Sequence, residues 1–339
     1  MKTPTPTLDE FRRLYDAALA FKQEAPWAWM TEDQIFGVRN PETGEIGYAS
    51  VMGQRGEYLA LALYQGSEGL DGFWCMERGG EPGNPTFLLE VPQLQASFGD
   101  REELHEQDRQ VLKDLGLKFR GRQAWPLFRS YVPGYVPWFV TPAEARYLTV
   151  GLEQSLDVIR RLAENPALLD PLRRGVYLVR TRTAEGWTDE WLIPPPAPAR
   201  TWPTVDEKRL AALRKLPRQP YILEVDLFAM PGYIQERTDA RPYLAYNLLV
   251  VEARSGFILG TEVLAPKPTL DIMWKETPAK FLNLLARLKT VPHQIMVRRE
   301  RIRGLLEPIA TGLGIEMGVS LQLPALDEAK SALESRFGG

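Results

Sequence analysis

The sequence predicts an α+β unit followed by an α/β unit whose elements run β-β-β-α-β-α-β-α. Three observations predict it. The chain has 339 residues, more than a single core usually serves. Hydrophobic residues make up 44% and charged residues 25%, the balance of a folded chain with sizeable cores. Pro194, Pro195, Pro196 and Pro198, with Pro203 beyond, interrupt the chain. Clustered prolines continue neither a ladder nor a helix and favour an extended spacer. The expected division is residues 1–193, a linker over 194–205, and residues 206–339.

In the first half, Leu8, Phe11, Leu14, Tyr15, Ala18 and Phe21 recur near a 3.6-residue period, which predicts an amphipathic helix over 8–22. Residues 35–39 and 47–52 flank Asn40, Pro41 and Gly44, turn formers that predict a hairpin. Residues 58–64 read as a third strand, and 86–98 contain another. Residues 102–115 read as a helix ending at Gly116, and 124–131 as extended. The strongest helix covers 142–164. Thr141 is its N-cap, Pro142 its first residue and Glu144 the third, a capping box. Asn165 and Pro166 stop it. Strands at 176–181 and 187–193 then close around Glu185 and Gly186.

The second half opens with a short helix, 206–216. Strands follow at 221–228, 242–252 and 257–264, the last two joined by a tight turn at Arg254, Ser255 and Gly256. A helix over 278–288 is expected with Thr277 as cap. A strand at 294–297, a helix at 301–312 stopped by Gly314, a strand at 315–320 and a helix at 325–336 complete the order.

Composition excludes several chemistries. Lys and Arg number 41 and Asp and Glu 44, net -3, so no overall charge announces nucleic acid or membrane. Residues 1–198 carry 21 basic and 28 acidic residues, and residues 199–339 carry 20 and 16. That asymmetry fits either scattered surface charge or one half that meets an anion. Cys75 is the single cysteine, so an internal disulfide and a multi-cysteine zinc site are excluded. His105 and His293 are the only histidines, too few for a histidine-rich metal site. Residues 1–10 lack the apolar stretch of a signal peptide, and no apolar run approaches 18 residues. These features lead to the expectation of a cytoplasmic protein.

The order of the second half resembles the ribonuclease H-like fold. Arg241, Pro242, Tyr243 and Leu244 lead into a strand ending at Val251 and Glu252. A Ser255–Gly256 turn and Phe257, Ile258, Leu259 and Gly260 follow. This is similar to the second-to-third strand hairpin of integrases and transposases. The whole chain is also similar to a bacterial family of paired domains of unknown function. The matching stretches are 33–38, 40–44, 115–122 and 124–129.

The first resemblance implies a test for nuclease chemistry. Nucleases of that fold hold two divalent cations, Mg²⁺ or Mn²⁺, between carboxylates of the first strand, the fourth strand and the last helix. Hard cations need several converging carboxylate oxygens. Asp226 stands mid-strand where the first of them belongs. The fourth strand instead runs into Arg298, Arg299 and Glu300, so a cation stands where a ligand is expected. Glu252, Glu300, Asp327 and Glu328 are the other candidates, with Glu276 and Glu334 further off. The leading reading is therefore a non-catalytic binding or adaptor protein without a cofactor. A metal-dependent nuclease and a protein–protein scaffold are the alternatives.

Two basic stretches could carry binding. Residues 115–143 contain no acid. Lys118, Arg120, Arg122 and Arg129 alternate there with Trp125, Phe128, Tyr131, Tyr135, Trp138 and Phe139. Arginines contact phosphates and aromatic faces stack bases, which suits single-stranded nucleic acid. The same aromatics also suit a core. Arg298, Arg299, Arg301 and Arg303 stand at the start of a helix, a place that favours anions, whether nucleic acid or an acidic protein. They also suit a solvated helix face.

Overall fold

Thr141 opens the longest helix of the chain, as its sequence predicts. Its side chain accepts from Glu144 N at 3.3 Å, and the Glu144 carboxylate accepts from Thr141 N at 2.7 Å. A computed structural model describes residues 4–170, 175–198, 201–202 and 205–337. The chain divides into two units. The first takes the described residues within 1–74, 91–132 and 137–199, and the second those within 75–90, 133–136 and 200–339.

The first unit contains α1 (Leu8–Glu24), β1 (Phe36–Arg39), β2 (Ile46–Met52), β3 (Leu59–Gln65), the start of α2 (Gly66–Glu77), β4 (Gln93–Gly99), α3 (Glu106–Leu115), β5 (Trp125–Tyr131), α4 (Pro142–Glu164), β6 (Tyr177–Thr183) and β7 (Gly186–Leu192). Its sheet runs β5-β4-β3-β2-β1-β6-β7. Only the β1–β6 pair in it is parallel. Leu59, Leu61 and Leu63 alternate on β3 with Leu94, Ala96 and Phe98 on β4. They form one core with Leu148, Leu152 and Ile159 of α4 and Phe11, Leu14 and Phe21 of α1. The period-2 and period-3.6 patterns of the sequence meet in that layer.

Helix α2 is absent from the expectation. Three glycines in its first seven residues read as loop, yet Gly72 is required by contact. A Cβ there would meet Val91 Cγ1 at 2.7 Å. The strand expected within 86–98 begins only at Gln93, after a short 3-10 turn at Phe87–Glu90. Pro194, Pro195, Pro196 and Pro198 lie in irregular backbone. Pro203 lies outside the described residues, as do residues 1–3 of the stretch read for a signal peptide.

The second unit contains α5 (Glu207–Leu213), β8 (Arg218–Ala229), β9 (Tyr246–Glu252), β10 (Ile258–Leu264), α6 (Leu270–Leu288), β11 (Val291–Val297), α7 (Glu300–Leu313), β12 (Glu316–Val319) and α8 (Pro324–Phe337). Its sheet runs β10-β9-β8-β11-β12. Strands β8, β11 and β12 are parallel neighbours, and β9 is antiparallel to β8 and β10. Leu223, Val225 and Leu227 share a core with α6 and α7. Phe228, Leu249 and Val251 pack in a second cluster with Leu323 and Leu326 of the α8 region. Both sheets are mixed, so the molecule is α+β in two units.

Helix α6 starts eight residues before the expected Pro278. Thr269 caps it, accepting from Ile272 N at 3.3 Å. Thr277 is not a cap. It is buried, and its hydroxyl donates to Met273 O at 3.2 Å. Pro278 removes one helical hydrogen bond. The buried stripe of Met273, Trp274, Phe281 and Leu285 carries the helix through it.

Two short stretches of the first half complete the second unit. Gly134 N donates to Leu89 O at 2.9 Å, Leu244 N to Gly134 O at 2.9 Å, and Val136 N to Pro242 O at 3.0 Å. Leu89 and Val136 pack against the second core.

Candidate functional site

Strand β8 alternates apolar residues with two acids. Leu223, Val225 and Leu227 turn into the α6–α7 core, which leaves Glu224 and Asp226 on the other face. Asp226 is 0% exposed. A buried carboxylate needs a cation or several donors. Asp226 has both. Its Oδ1 accepts from Leu227 N at 2.8 Å and from Arg299 Nη2 at 2.8 Å.

Arg299 stands just after β11, where the chain turns into α7, and its side chain is 2% exposed. It also meets Glu81 Oε2 through Nη1 at 3.2 Å and donates to Leu227 O. Burial opposes its charge, but Asp226, Glu81 and Glu90 outweigh that and hold its guanidinium above the usual range. Arg301, the second residue of α7, lies 4.1 Å from the Trp274 ring centroid, and Arg299 lies 5.5 Å from the same ring. Arg301 Nη1 is 3.8 Å from Glu90 Oε2. Four buried polar atoms here have no hydrogen-bond partner: Asp226 Oδ2, Glu90 Oε2, Trp274 Nε1 and Arg299 Nε.

Arg298 takes a separate path. Its Nη2 meets both Asp327 oxygens at 2.7 Å, and its Nε donates to Leu321 O at 3.1 Å. Gly83, at φ +73°, lies against this side chain. A Cβ there would meet Arg298 Cδ at 2.6 Å. Glu224 went unread in the sequence. Its Oε2 accepts from Leu326 N at 2.7 Å, so it caps α8 from the sheet. Burial raises its carboxyl, with the Leu326 N–H pulling the other way. The readable signal was a second acid two residues before Asp226 in an apolar strand.

The remaining acids do not join this cluster. Glu252 folds onto its own turn, accepting from Ser255 N at 2.7 Å and Ser255 Oγ at 2.6 Å. Those bonds lower its carboxyl, the Ser255 hydroxyl first. Glu300 and Glu328 are exposed. Arg303 meets Glu300 at 3.5 Å and Glu307 at 3.0 Å. Among the described residues, no group of three or more His, Cys, Asp or Glu converges in a way that could hold a metal ion. The acids present do not fit a pair of divalent cations, because two guanidinia already neutralise Asp226 and Asp327.

The basic–aromatic segment is split. Residues 118–132 and 137–139 belong to the first unit and 133–136 to the second. Arg129 forms a two-bond pair with Asp108, at 2.6 and 3.0 Å, and lies 5.0 Å from the Phe139 centroid. Trp125 packs against the first core and on Phe119, at 5.8 Å between centroids. Phe128 is buried beside Tyr15, and Tyr131 donates to Gln95 Oε1 at 2.9 Å. Tyr135 meets Tyr243 at 6.2 Å in the second unit. The aromatics serve packing. Lys118, Arg120 and Arg122 are exposed.

Among the described residues, no helix is long and apolar enough to cross a membrane. A comparison with curated proteins returns no match. Residues 209–334 match a family model described as Domain of unknown function (DUF6930). Residues 11–180, half of the chain, match the model described as Domain of unknown function (DUF7309). The chain therefore belongs to the DUF7309 family and carries two domains of unknown function in tandem.

Proposed function

We propose that this chain is a non-catalytic binding or adaptor protein whose second unit is ribonuclease H-like. The sheet order β10-β9-β8-β11-β12, with β8, β11 and β12 parallel, supports that reading of the fold. In the order of the strands within the unit it is 3-2-1-4-5. The observation that carries the functional reading is the pairing of Arg299 with Asp226 and of Arg298 with Asp327. Each arginine neutralises a carboxylate that metal chemistry would need, and each adds a positive charge that repels a divalent cation.

The test is incubation of the purified chain with DNA and RNA in Mg²⁺ and in Mn²⁺. No cleavage above a protein-free control is expected. Cleavage that Asp226→Asn abolishes would overturn the reading.

Lys118, Arg120 and Arg122 are the surface through which a polyanion is held. Phosphate contacts without stacked bases bind weakly, independently of sequence, and with strong salt dependence. Anisotropy of labelled single-stranded DNA at low salt measures this. Lys118→Ala, Arg120→Ala and Arg122→Ala together should abolish binding. Trp125→Ala should leave it unchanged while lowering stability by up to about 1.5–3 kcal/mol, because its partly buried ring packs against the core. An absence of wild-type binding at low salt would end the nucleic-acid reading and leave an acidic protein face as the partner to test.

A further inference from the structure

Three carboxyls and two guanidinia face one another inside the second unit. Asp226 and Glu81 meet Arg299, and Glu90 meets Arg301. Fully ionised, these five groups carry one excess negative charge, and Asp226, Glu90 and Arg299 among them are buried, a costly arrangement. One bound proton removes it. Asp226 stays ionised, since one of its two donors is the Arg299 guanidinium at 2.8 Å, a charged group in direct contact.

Glu90 differs. It is buried, at the end of the 75–90 segment. Its Oε1 accepts from Asn84 Nδ2 at 3.1 Å and from the Tyr246 hydroxyl at 3.3 Å. Its Oε2 has no hydrogen-bond partner, and Arg301 stands 3.8 Å away, beyond hydrogen-bond reach. The groups around it come from its own segment, β9 and the start of α7. Glu81 and Asn84 lie on its own segment, Tyr246 on β9, Arg299 at the N-cap of α7 and Arg301 in its first turn, over the Trp274 ring of α6.

We propose that Glu90 is a proton-operated latch: protonated, it keeps the 75–90 segment seated on the second unit, and ionised, it loosens that seat. Burial raises the Glu90 carboxyl, with Glu81 adding to the rise and Arg299, Arg301 and Asn84 opposing it. A carboxyl raised in the seated state contributes stability that is complete below its ordinary range. That stability is lost as pH rises through its seated value. Local opening of 75–90 therefore becomes more frequent as pH rises above the ordinary carboxyl range. The opposite sign holds for an ordinary paired carboxylate such as Glu252, which is lowered.

Hydrogen exchange of the full chain, corrected for the intrinsic pH dependence of amide exchange, tests the latch. Protection of peptides from 75–90 should fall with rising pH by up to about tenfold per pH unit, the limit for one proton. Peptides from β3 and β4 of the first unit should show no such slope. In Glu90→Gln the slope should vanish and protection should stay high as pH rises. A flat wild-type profile, or a slope that survives in Glu90→Gln, would overturn the proposal. Infrared spectroscopy of the wild type gives a readout independent of the variant's folding. A protonated carboxyl band should persist above the pH at which ordinary carboxyls lose theirs, and its absence there would equally overturn the latch.

Discussion

Arg299 is the residue on which the second unit's buried charge depends. Its side chain compensates Asp226 directly and Glu81 beside it, and both pairs lie where solvent screens little. Removing one partner of such a pair leaves a buried charge alone. Arg299→Met should therefore cost about 3–5 kcal/mol in a denaturant melt. Adding Asp226→Asn should recover part of that loss, and the double-mutant cycle would measure the coupling. Arg298→Met should lose no more than about 1 kcal/mol from its pair, since Asp327 is half exposed and water can take over. Equal losses at the two arginines would contradict this ranking. The sequence identifies cations where acids are expected, but not which arginine reaches Asp226. Alternation along a strand is readable only while the chain stays in the ladder. The chain leaves it at Val297, so the direction of the next two side chains depends on how α7 begins.

Elements with local signals were legible and those made by contact were not. Helix α4 carries its whole definition in Thr141, Pro142, Glu144 and the stop at Asn165. Thr141→Ala should cost about 1 kcal/mol, because an orphan N–H at the helix start loses its acceptor. Helix α2 and the first eight residues of α6 lack such signals. Glycine composition hides the first, and Pro278 looks like a start when it is an interruption. Packing of Phe73 and Trp274 decides both. The loop before Phe87 is likewise set by tertiary contact. Gly83 has a positive φ and no room for a Cβ beside Arg298. Gly83→Ala should cost more than about 1 kcal/mol, since the left-handed backbone alone accounts for that much. A melting temperature equal to wild type would show that Arg298 can move aside freely.

At the scale of the molecule, the chain changes unit five times. The prolines at 194–198 lie close to one of those changes. None of the others has a proline cluster, though Pro133 and Pro137 each stand at one of them. One falls inside α2, between Trp74 and Cys75, and two flank the short stretch 133–136. Local propensity sets whether a residue is helical or extended, but not which core receives it. The second unit therefore cannot be completed from residues 200–339 alone. A fragment of that span lacks Glu81 and Glu90, which face Arg299 and Arg301, and lacks Leu89 and Val136, which pack on the core. Arg299 keeps Asp226 in the fragment, but losing Leu89 and Val136 from the core should cost up to about 1.5–3 kcal/mol for each side chain. That is a large share of the roughly 5–15 kcal/mol that holds a domain together. The isolated fragment should melt well below the full chain or fail to melt cooperatively, and should bind a hydrophobic dye. Supplying a peptide of residues 75–90 should raise its melting temperature, and the Glu81→Gln, Glu90→Gln form of that peptide should raise it differently, because it changes the charge facing the two arginines. A fragment that melts cooperatively at the temperature of the intact chain would show that the two inserted stretches contribute nothing to the second unit's stability.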